Sequence, residues 1–585
     1  MSLTVSPKRK EIIAISLIVV SCGTLSLRAE NGALFITSSI LLLVLSFITR
    51  KPTPVIGLAL LGVMLYPIPI SGWIYGRDAN HGIYVTQKIL SEGWPISLPF
   101  RRTFTGTPFR SFHTGIVSSV TNLGISPSTT GRPLIPAILP MVYTSGALLF
   151  TYLIGRRLAP SFDVAAGMTV LPVILWTPLF ALKSAYRRQS IGFFLFALAC
   201  GIVFYYLLSN RSRRWSFMLL IVSFAMIAAH HLTAIIFFIF LFSISTGEDI
   251  FNNTSNITEY SGIKTIAVIF SALFILWQLF GEFGALLTIA VFANYLSGLS
   301  IETLRTLFDS GGSSTAFPYE ISEPIVRRII PFGGRWLFAI IIGIGFGILG
   351  LHIYTDRQNY ETSTVLWASG IGVFGILAGI LSAFSWIAGT ISFQRILTFG
   401  IVAAAPLSIL GYSRLANNTV FSKNAGKLDH SRVFITVIPV VLLTLIGFQL
   451  IPGHVVFTDD PIHKYGESSE RFPPQQYATA EFISDYDTSA SILADPNVAG
   501  AIVREAELEV ETRPMVFISG DIPKNVTAVV TKRNEDLYFA FIVAGRNGGV
   551  RINPPNVPDV FNQKNSKIYS NQMMNVYKNN ISDDD

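Results

Sequence analysis

Charge is what this 585-residue chain has least of: only 13% of its residues are Asp, Glu, Lys or Arg, about half the share a soluble protein carries. That scarcity excludes a disordered chain and a coiled coil, and makes a purely soluble enzyme a poor fit. Cysteine is nearly absent as well. Cys22 and Cys200 both lie in apolar runs, so there is no disulfide framework to define a small secreted fold. No internal repeat or low-complexity tract is present, nor a Walker A loop, a GxGxxG in a βαβ setting, an HExxH or a GxSxG elbow. Transport driven by a nucleotide-binding domain in this chain is therefore unsupported. The net charge of +8 comes from scattered basic residues, which argues against a nucleic-acid partner.

What is abundant is apolar surface: 51% hydrophobic residues and a mean hydropathy of +0.53. A spanning helix needs roughly 20 mostly apolar residues to cross about 30 Å of hydrocarbon. Such runs occur near 11–27, 32–49, 53–75, 132–155, 163–182, 189–208, 336–354, 364–388, 391–411 and 433–451. Two longer stretches, 215–246 and 263–297, admit two readings. In one, 215–246 is a single long helix and 263–297 a hairpin of two. In the other, 215–246 breaks near His230–His231, and 263–297 is one span plus an interfacial helix. The acidic loop Glu248–Glu259 favours the first slightly. Either reading gives a polytopic α-helical membrane protein of about 13 spans at that helix length.

The first run follows Lys8, Arg9 and Lys10 but lacks a small-residue cleavage site, so it reads as a retained anchor. Lys8–Lys10, Arg50–Lys51, Arg156–Arg157, Arg211–Arg214 and Lys423–Arg432 fall on one side if the N-terminus is cytoplasmic. The expected layout is a cell-membrane bundle over 1–452, with outer loops at 76–131 and 298–335. Residues 453–585 change character: prolines, charges and short alternating runs appear. They read as a small extracytoplasmic α/β domain, with strands at Ser491–Asp495, Met515–Ser519 and Leu537–Val543. Helices at Ala478–Tyr486 and Val498–Glu505 and a terminal hairpin through Lys567–Tyr569 and Asn575–Tyr577 complete it.

Chemistry concentrates after the third span, in Tyr75-Gly-Arg-Asp-Ala-Asn-His-Gly-Ile-Tyr84. Asp78 stands just beyond a membrane helix, beside Arg77, Asn80 and His81, where a carboxylate can act as general base on a hydroxyl. The following Ile83–Gly93 reads as a short interfacial amphipathic helix, and the competing role for Asp78 or Asn80 is to cap it. Cations also stand on the side that should lack them: Lys183, Arg187 and Arg188 in one short loop, and Arg101, Arg102, Arg110, Arg327, Arg328 and Arg335 in others. A lipid-linked phosphate is a natural partner for such a cluster, with snorkelling onto ordinary membrane lipids the competing role. Arg395 lies within an otherwise apolar helix, where a charge is by default functional. His113, His230, His231, Glu320 and Glu323 are further candidate substrate contacts. The His230–His231 pair cannot share a helix face, so a di-metal site is not expected there.

Three stretches, Gly76-Arg-Asp-Ala-Asn-His-Gly82, Ala185-Tyr-Arg-Arg-Gln-Ser-Ile-Gly192 and His230-His-Leu-Thr233, together with the bundle layout, resemble the GT-C superfamily of polyprenyl-phosphate-dependent membrane glycosyltransferases, archaeal members in particular. The resemblance implies a dolichyl- or polyprenyl-phosphate sugar as donor and a glycan or glycoprotein as acceptor. It implies Asp78 as base or, as in oligosaccharyltransferases, metal ligand, while the misplaced charges themselves point to Arg395, Arg187, Arg188 and Lys183 as the residues that hold the donor phosphate. Phosphate is already a good leaving group, so no cofactor is required and a divalent metal is optional. The WWDYG motif of oligosaccharyltransferases is absent, which turns the expectation from whole-glycan transfer to transfer of one sugar, mannose by resemblance.

Overall fold

The computed structural model describes residues 7–28, 37–38, 41–42, 45, 74–75, 79–93, 108–125, 134–158, 186, 188–209, 212–255, 262–280, 340, 342–355, 360–388, 393–417, 471–472, 474–486, 491–494, 502, 510–511, 521–531, 557–571 and 574–579. The expected spans at 53–75, 163–182 and 433–451, the loop 298–335, and the strands at 515–519 and 537–543 lie essentially outside these residues.

The membrane part is helical. Its described elements are α1 (Pro7–Arg28), α4 (Leu134–Leu158), α5 (Arg188–Leu208), α6 (Arg213–Ala229), α7 (His231–Ser255), α8 (Ile263–Phe280), α9 (Ile342–Thr355), α10 (Thr362–Ala388) and α11 (Phe393–Asn417). Among the described residues, four helical stretches are long and apolar enough to cross a membrane: Ile138–Leu158, Arg188–Leu208, His231–Ile250 and Thr362–Ile380. Helix α5 lies at the centre, packed by α4, α6, α7, α10 and α11. Its residues are buried nearly all round, as a helix enclosed by others must be. The outer helices instead expose Val142, Phe217, Phe224, Phe242, Val268, Leu276, Leu351 and Ile376, an apolar surface suited to lipid.

Aromatic rings fill the centre. Phe196 meets Phe237, Phe240 and Phe399 at centroid distances of 6.1, 5.6 and 5.1 Å, and Trp367 sits edge-on to Phe204 and Phe240. Helices α7 and α10 cross where glycine permits it: a Cβ on Gly247 would meet the Gly370 nitrogen at 2.6 Å. Small residues at such crossings let backbones approach where lipid supplies no hydrophobic drive. Two threonine hydroxyls are satisfied within their own helix, Thr144 donating to the Pro140 carbonyl at 2.9 Å and Thr151 to that of Ala147 at 3.0 Å. Without water in the hydrocarbon, that is the available partner.

The stretch 215–246 is not one helix. Helix α6 ends at Ala229, His230 is extended (φ −163°, ψ 112°), and α7 begins at His231. The break corrects the slight preference for an unbroken span. The His230 amide still bonds to the Met226 carbonyl at 3.0 Å and its carbonyl accepts from Ala234 at 3.1 Å, so one residue ends one helix and starts the next. Of the acidic residues that favoured the other reading, Asp249 pairs with Lys264 at 2.6 Å, joining the end of α7 to the start of α8.

Beyond the bundle, the described residues form β1 (Ile74–Tyr75), α2 (Ala79–Glu92), α3 (Phe109–Thr121), β2 (Arg471–Phe472), α12 (Pro474–Tyr486), β3 (Ser491–Ala494), β4 (Val510–Glu511), β5 (Val526–Thr531), α13 (Val557–Lys564), β6 (Asn565–Ser570) and β7 (Met574–Asn579). The sheet order is β4-β3-β5-β7-β6, parallel from β4 to β5 and antiparallel thereafter. Each face has its own core. Leu493, Ala528, Val530 and Tyr577 pack with Phe561 of α13, while Ile492, Ala494, Val529 and Val576 pack with Ala480 and Ile483 of α12. Two buried faces explain the unbroken Val-Thr-Ala-Val-Val-Thr of β5. The expected hairpin forms as β6–β7, and Asn571 at its tip donates to the Gln475 carbonyl and Thr479 hydroxyl of α12. Tyr477 of α12 belongs to the bundle's own buried cluster, and β1 pairs antiparallel with β2. The segment before the first-loop helices is thereby sewn to the chain that follows the bundle.

Candidate functional site

Asp78 and Arg77 lie outside the described residues, between β1, which ends at Tyr75, and α2, which begins at Ala79. Arg101, Arg102, Lys183, Arg187, Glu320 and Glu323 lie outside them too. Asn80, His81 and Arg395 are placed by backbone, in the first turns of α2 and α11. The remaining candidates, His113, Arg188, His230 and His231, are placed with their side chains.

Helix α2 is amphipathic as expected. It buries Ile83, Tyr84, Val85 and Thr86 and ends at Gly93, whose φ of +81° suits a residue without Cβ. Val85 and Ile89 pack on Phe112 of α3. Helix α3 in turn lies against α4 and α6 and stops at Asn122, a left-handed cap with φ 58° whose amide bonds to the Ser118 carbonyl at 2.8 Å.

Three links fasten α3 to the bundle. His113 Nδ1 and the Tyr143 hydroxyl of α4 are 2.7 Å apart. The Thr114 and Tyr186 hydroxyls are 2.6 Å apart. Arg110, 1% exposed, donates from Nη1 to the Tyr186 carbonyl at 3.1 Å and lies over the Tyr186 ring, 4.6 Å from its centroid. Burial lowers the His113 pKa below its ordinary 6.5, so the ring is neutral at pH 7 and able to accept the Tyr143 proton at Nδ1.

Tyr186 leads directly into Arg187 and α5. One turn into α5, Gly192 lies against the helix break: a Cβ there would meet Thr233 Oγ1 at 2.6 Å and the His230 Cβ at 3.2 Å. His230 is held to α7 by Thr233, whose hydroxyl is 2.9 Å from Nδ1. The two imidazole centroids are 5.3 Å apart, and Arg188 lies within electrostatic reach of His231. Phe193 and Phe399 touch at 5.7 Å, which aligns the starts of α5 and α11. Arg188 precedes Phe193 by five residues and Arg395 precedes Phe399 by four, so both arginines belong to the same end of the bundle. At the opposite end Arg157 pairs with Glu361 at 3.6 Å and Lys264 with Asp249.

One end of the bundle thus gathers the first-loop helices, Tyr186, Arg188 at the start of α5, the His230 break and the first turn of α11. From sequence, Arg110 stands among the outer cations and Tyr186 only within the Ala185–Gly192 stretch, with no role assigned to either side chain singly. Among the described residues, no three of His, Cys, Asp and Glu come together to hold a metal.

No protein-family profile matches this sequence, and no curated protein does. Solved structures do. The oligosaccharyltransferase of Archaeoglobus fulgidus, solved with a tethered acceptor peptide containing an NVT sequon, aligns over 84% of this chain and 70% of its own at 13% identity, with a TM-score of 0.50. ArnT from Cupriavidus metallidurans aligns over 86% of this chain and 93% of its own at 10% identity, with a TM-score of 0.43 in its apo state. The structure bound to undecaprenyl phosphate gives 11% identity over 86% and 94%, at 0.42. The first likeness speaks for the fold alone: the chain shares the fold of that oligosaccharyltransferase. The ArnT likeness is looser and adds no weight.

Proposed function

We propose that this GT-C-fold membrane protein is a glycosyltransferase. It moves a single sugar, mannose on the sequence resemblance, from a dolichyl- or polyprenyl-phosphate donor to a glycan or glycoprotein acceptor at the extracytoplasmic face. The observation that carries the reading is the gathering, at one bundle end, of the first-loop helices that follow Asp78 with the Arg188 and Arg395 turns of α5 and α11. A base-bearing loop and a cationic membrane edge side by side are what transfer from a lipid phosphate requires.

The chemistry is an inverting displacement. The Asp78 carboxylate takes the proton of an acceptor hydroxyl as that oxygen bonds to the anomeric carbon. The bond from the anomeric carbon to the phosphate oxygen breaks on the opposite side, and the electron pair leaves with the polyprenyl phosphate. Arg187, Arg188 and Arg395, with Lys183 nearby in sequence, offset the charge that grows on the leaving phosphate. Neutral His113 and the His230–His231 pair are polar groups at the same end, available to acceptor and donor sugar.

The test is transfer from a radiolabelled dolichyl-phosphate sugar by purified protein in lipid, with Asp78→Asn and a chelator control alongside. Removing a general base lowers the rate by about 10²–10⁴-fold, with folding unchanged. Full activity in Asp78→Asn sinks the assignment of the base. No transfer from any donor, accompanied by lipid scrambling, replaces the enzyme with a flippase.

A further inference from the structure

Arg110 is a cation in the wrong place for a structural residue. Only 1% of it is exposed, and among the described residues its Nε has no hydrogen-bond partner and no carboxylate pairs with it. A buried guanidinium left without a counter-charge is costly, and apolar residues of similar volume usually replace buried ions at no loss of stability. Yet the surroundings are shaped to accept it. Its Nη2 occupies the space where residue 82 would carry a Cβ, so Gly82 must be glycine for the guanidinium to stay. On the other side the group lies on the Tyr186 ring and donates to the Tyr186 carbonyl. Gly82 stands four residues after Asp78, and Tyr186 immediately before Arg187 and Arg188.

We propose that Arg110 is a positioning residue for the anionic headgroup of the lipid-phosphate donor. It locks Tyr186, just ahead of α5, against the helix that follows Asp78, and it places behind Tyr186 a positive charge that no carboxylate among the described residues pairs with. This rests on the reading that Arg187 and Arg188 hold the donor phosphate. Arg110 does not touch the phosphate. It sets the register between the two halves of the site and favours the negative charge of the headgroup phosphate through a medium that screens poorly.

The experiment measures binding of undecaprenyl monophosphate, and separately of inorganic phosphate, to the full-length protein in detergent. Wild type is compared with Arg188→Ala, Arg110→Lys, Arg110→Met and Gly82→Ala, and each is followed by thermal unfolding. Charged hydrogen bonds of this kind correspond to roughly tenfold to hundredfold in affinity. The expected order is wild type, then Arg110→Lys and Gly82→Ala about tenfold weaker, then Arg110→Met weaker still, with melting temperatures close to wild type. Turnover should show the donor KM raised and the acceptor KM unchanged. Loss of affinity for the lipid but not for inorganic phosphate would mean that the segment positions the chain rather than the headgroup, and overturns the proposal.

If Arg188→Ala loses the lipid while Arg110→Met binds it as wild type does, Arg110 is structural and the phosphate reading stands. If wild type does not bind the lipid, both fall. Should Arg110→Met fail to fold, Arg110→Lys and Gly82→Ala decide: unchanged affinity in both overturns the proposal, as do equal rises in donor and acceptor KM.

Discussion

His113 shows how one side chain can tie stability to pH. Its ring is half-buried, stacked near Phe109 at 6.4 Å and bonded to the Tyr143 hydroxyl. Burial lowers its pKa below the unfolded value of 6.5, so on acidification the unfolded chain takes up a proton that the folded chain resists. Stability is therefore at its plateau above pH 6.5 and falls as the pH drops below it. Melting temperatures between pH 5 and 8 should show that slope in wild type, and His113→Gln should flatten it. A slope that survives the substitution assigns it to another group. His113 was legible as a polar residue in an outer loop. Arg110, three residues earlier, was legible only as a charge. Burial depends on Gly82 and Tyr186, which stand 28 and 76 residues away, and no local pattern encodes a contact of that range.

At the scale of elements, the apolar period revealed the helices but not where they stop. The run through 215–246 stays hydrophobic across His230, because both sides of the break are enclosed by the bundle. The signal that marks it is His230-His-Leu-Thr233, a polar pair followed by a threonine that bonds back to the first histidine. Strand β5 was missed for a related reason. Strands buried on both faces do not alternate, and Val526–Thr531 reads as a plain β-branched run after the exposed Asn525 turn. Helix crossings are as exacting as breaks. A Cβ on Gly370 would meet the Ile244 Cα at 2.8 Å, so Gly370→Val should cost about 1–3 kcal/mol, the usual range for overpacking. Unfolding by SDS titration would register it, whereas Gly375→Ala, with open space at its Cβ, should leave the midpoint near wild type.

Across the whole molecule, charge sorts the bundle into two unlike ends. One carries Arg188, Arg395, the histidine pair and the first-loop helices. The other carries Arg157, Arg213, Arg214 and the Lys264–Asp249 pair. We propose, from the positive-inside rule, that the second end faces the cytoplasm. In a background lacking Cys22 and Cys200, Ser212→Cys and Gly262→Cys should then be shielded from a membrane-impermeant maleimide in intact cells, while Lys524→Cys should be labelled. The reverse pattern would invert the orientation and with it the side on which the sugar is transferred. Tyr477 reaches from α12 into the bundle's buried cluster, and truncating an aromatic of that size costs about 3–5 kcal/mol. Tyr477→Ala should lower the melting point of the whole protein if sheet and bundle unfold together, and split the transition in two if they do not.

The short pairing of Ile74–Tyr75 with Arg471–Phe472 bears on how this protein can be cut. Ending the chain before residue 471 would strip β1 of its partner strand and leave backbone donors and acceptors bare, three residues upstream of Asp78. A shortened protein would thus lose the anchor of its own reactive loop, and its inactivity would say nothing about whether the terminal sheet recognises an acceptor. Separating those two roles calls for changes on the sheet's far surface, around Lys567 and Ile568, with the seam at Arg471–Phe472 kept intact.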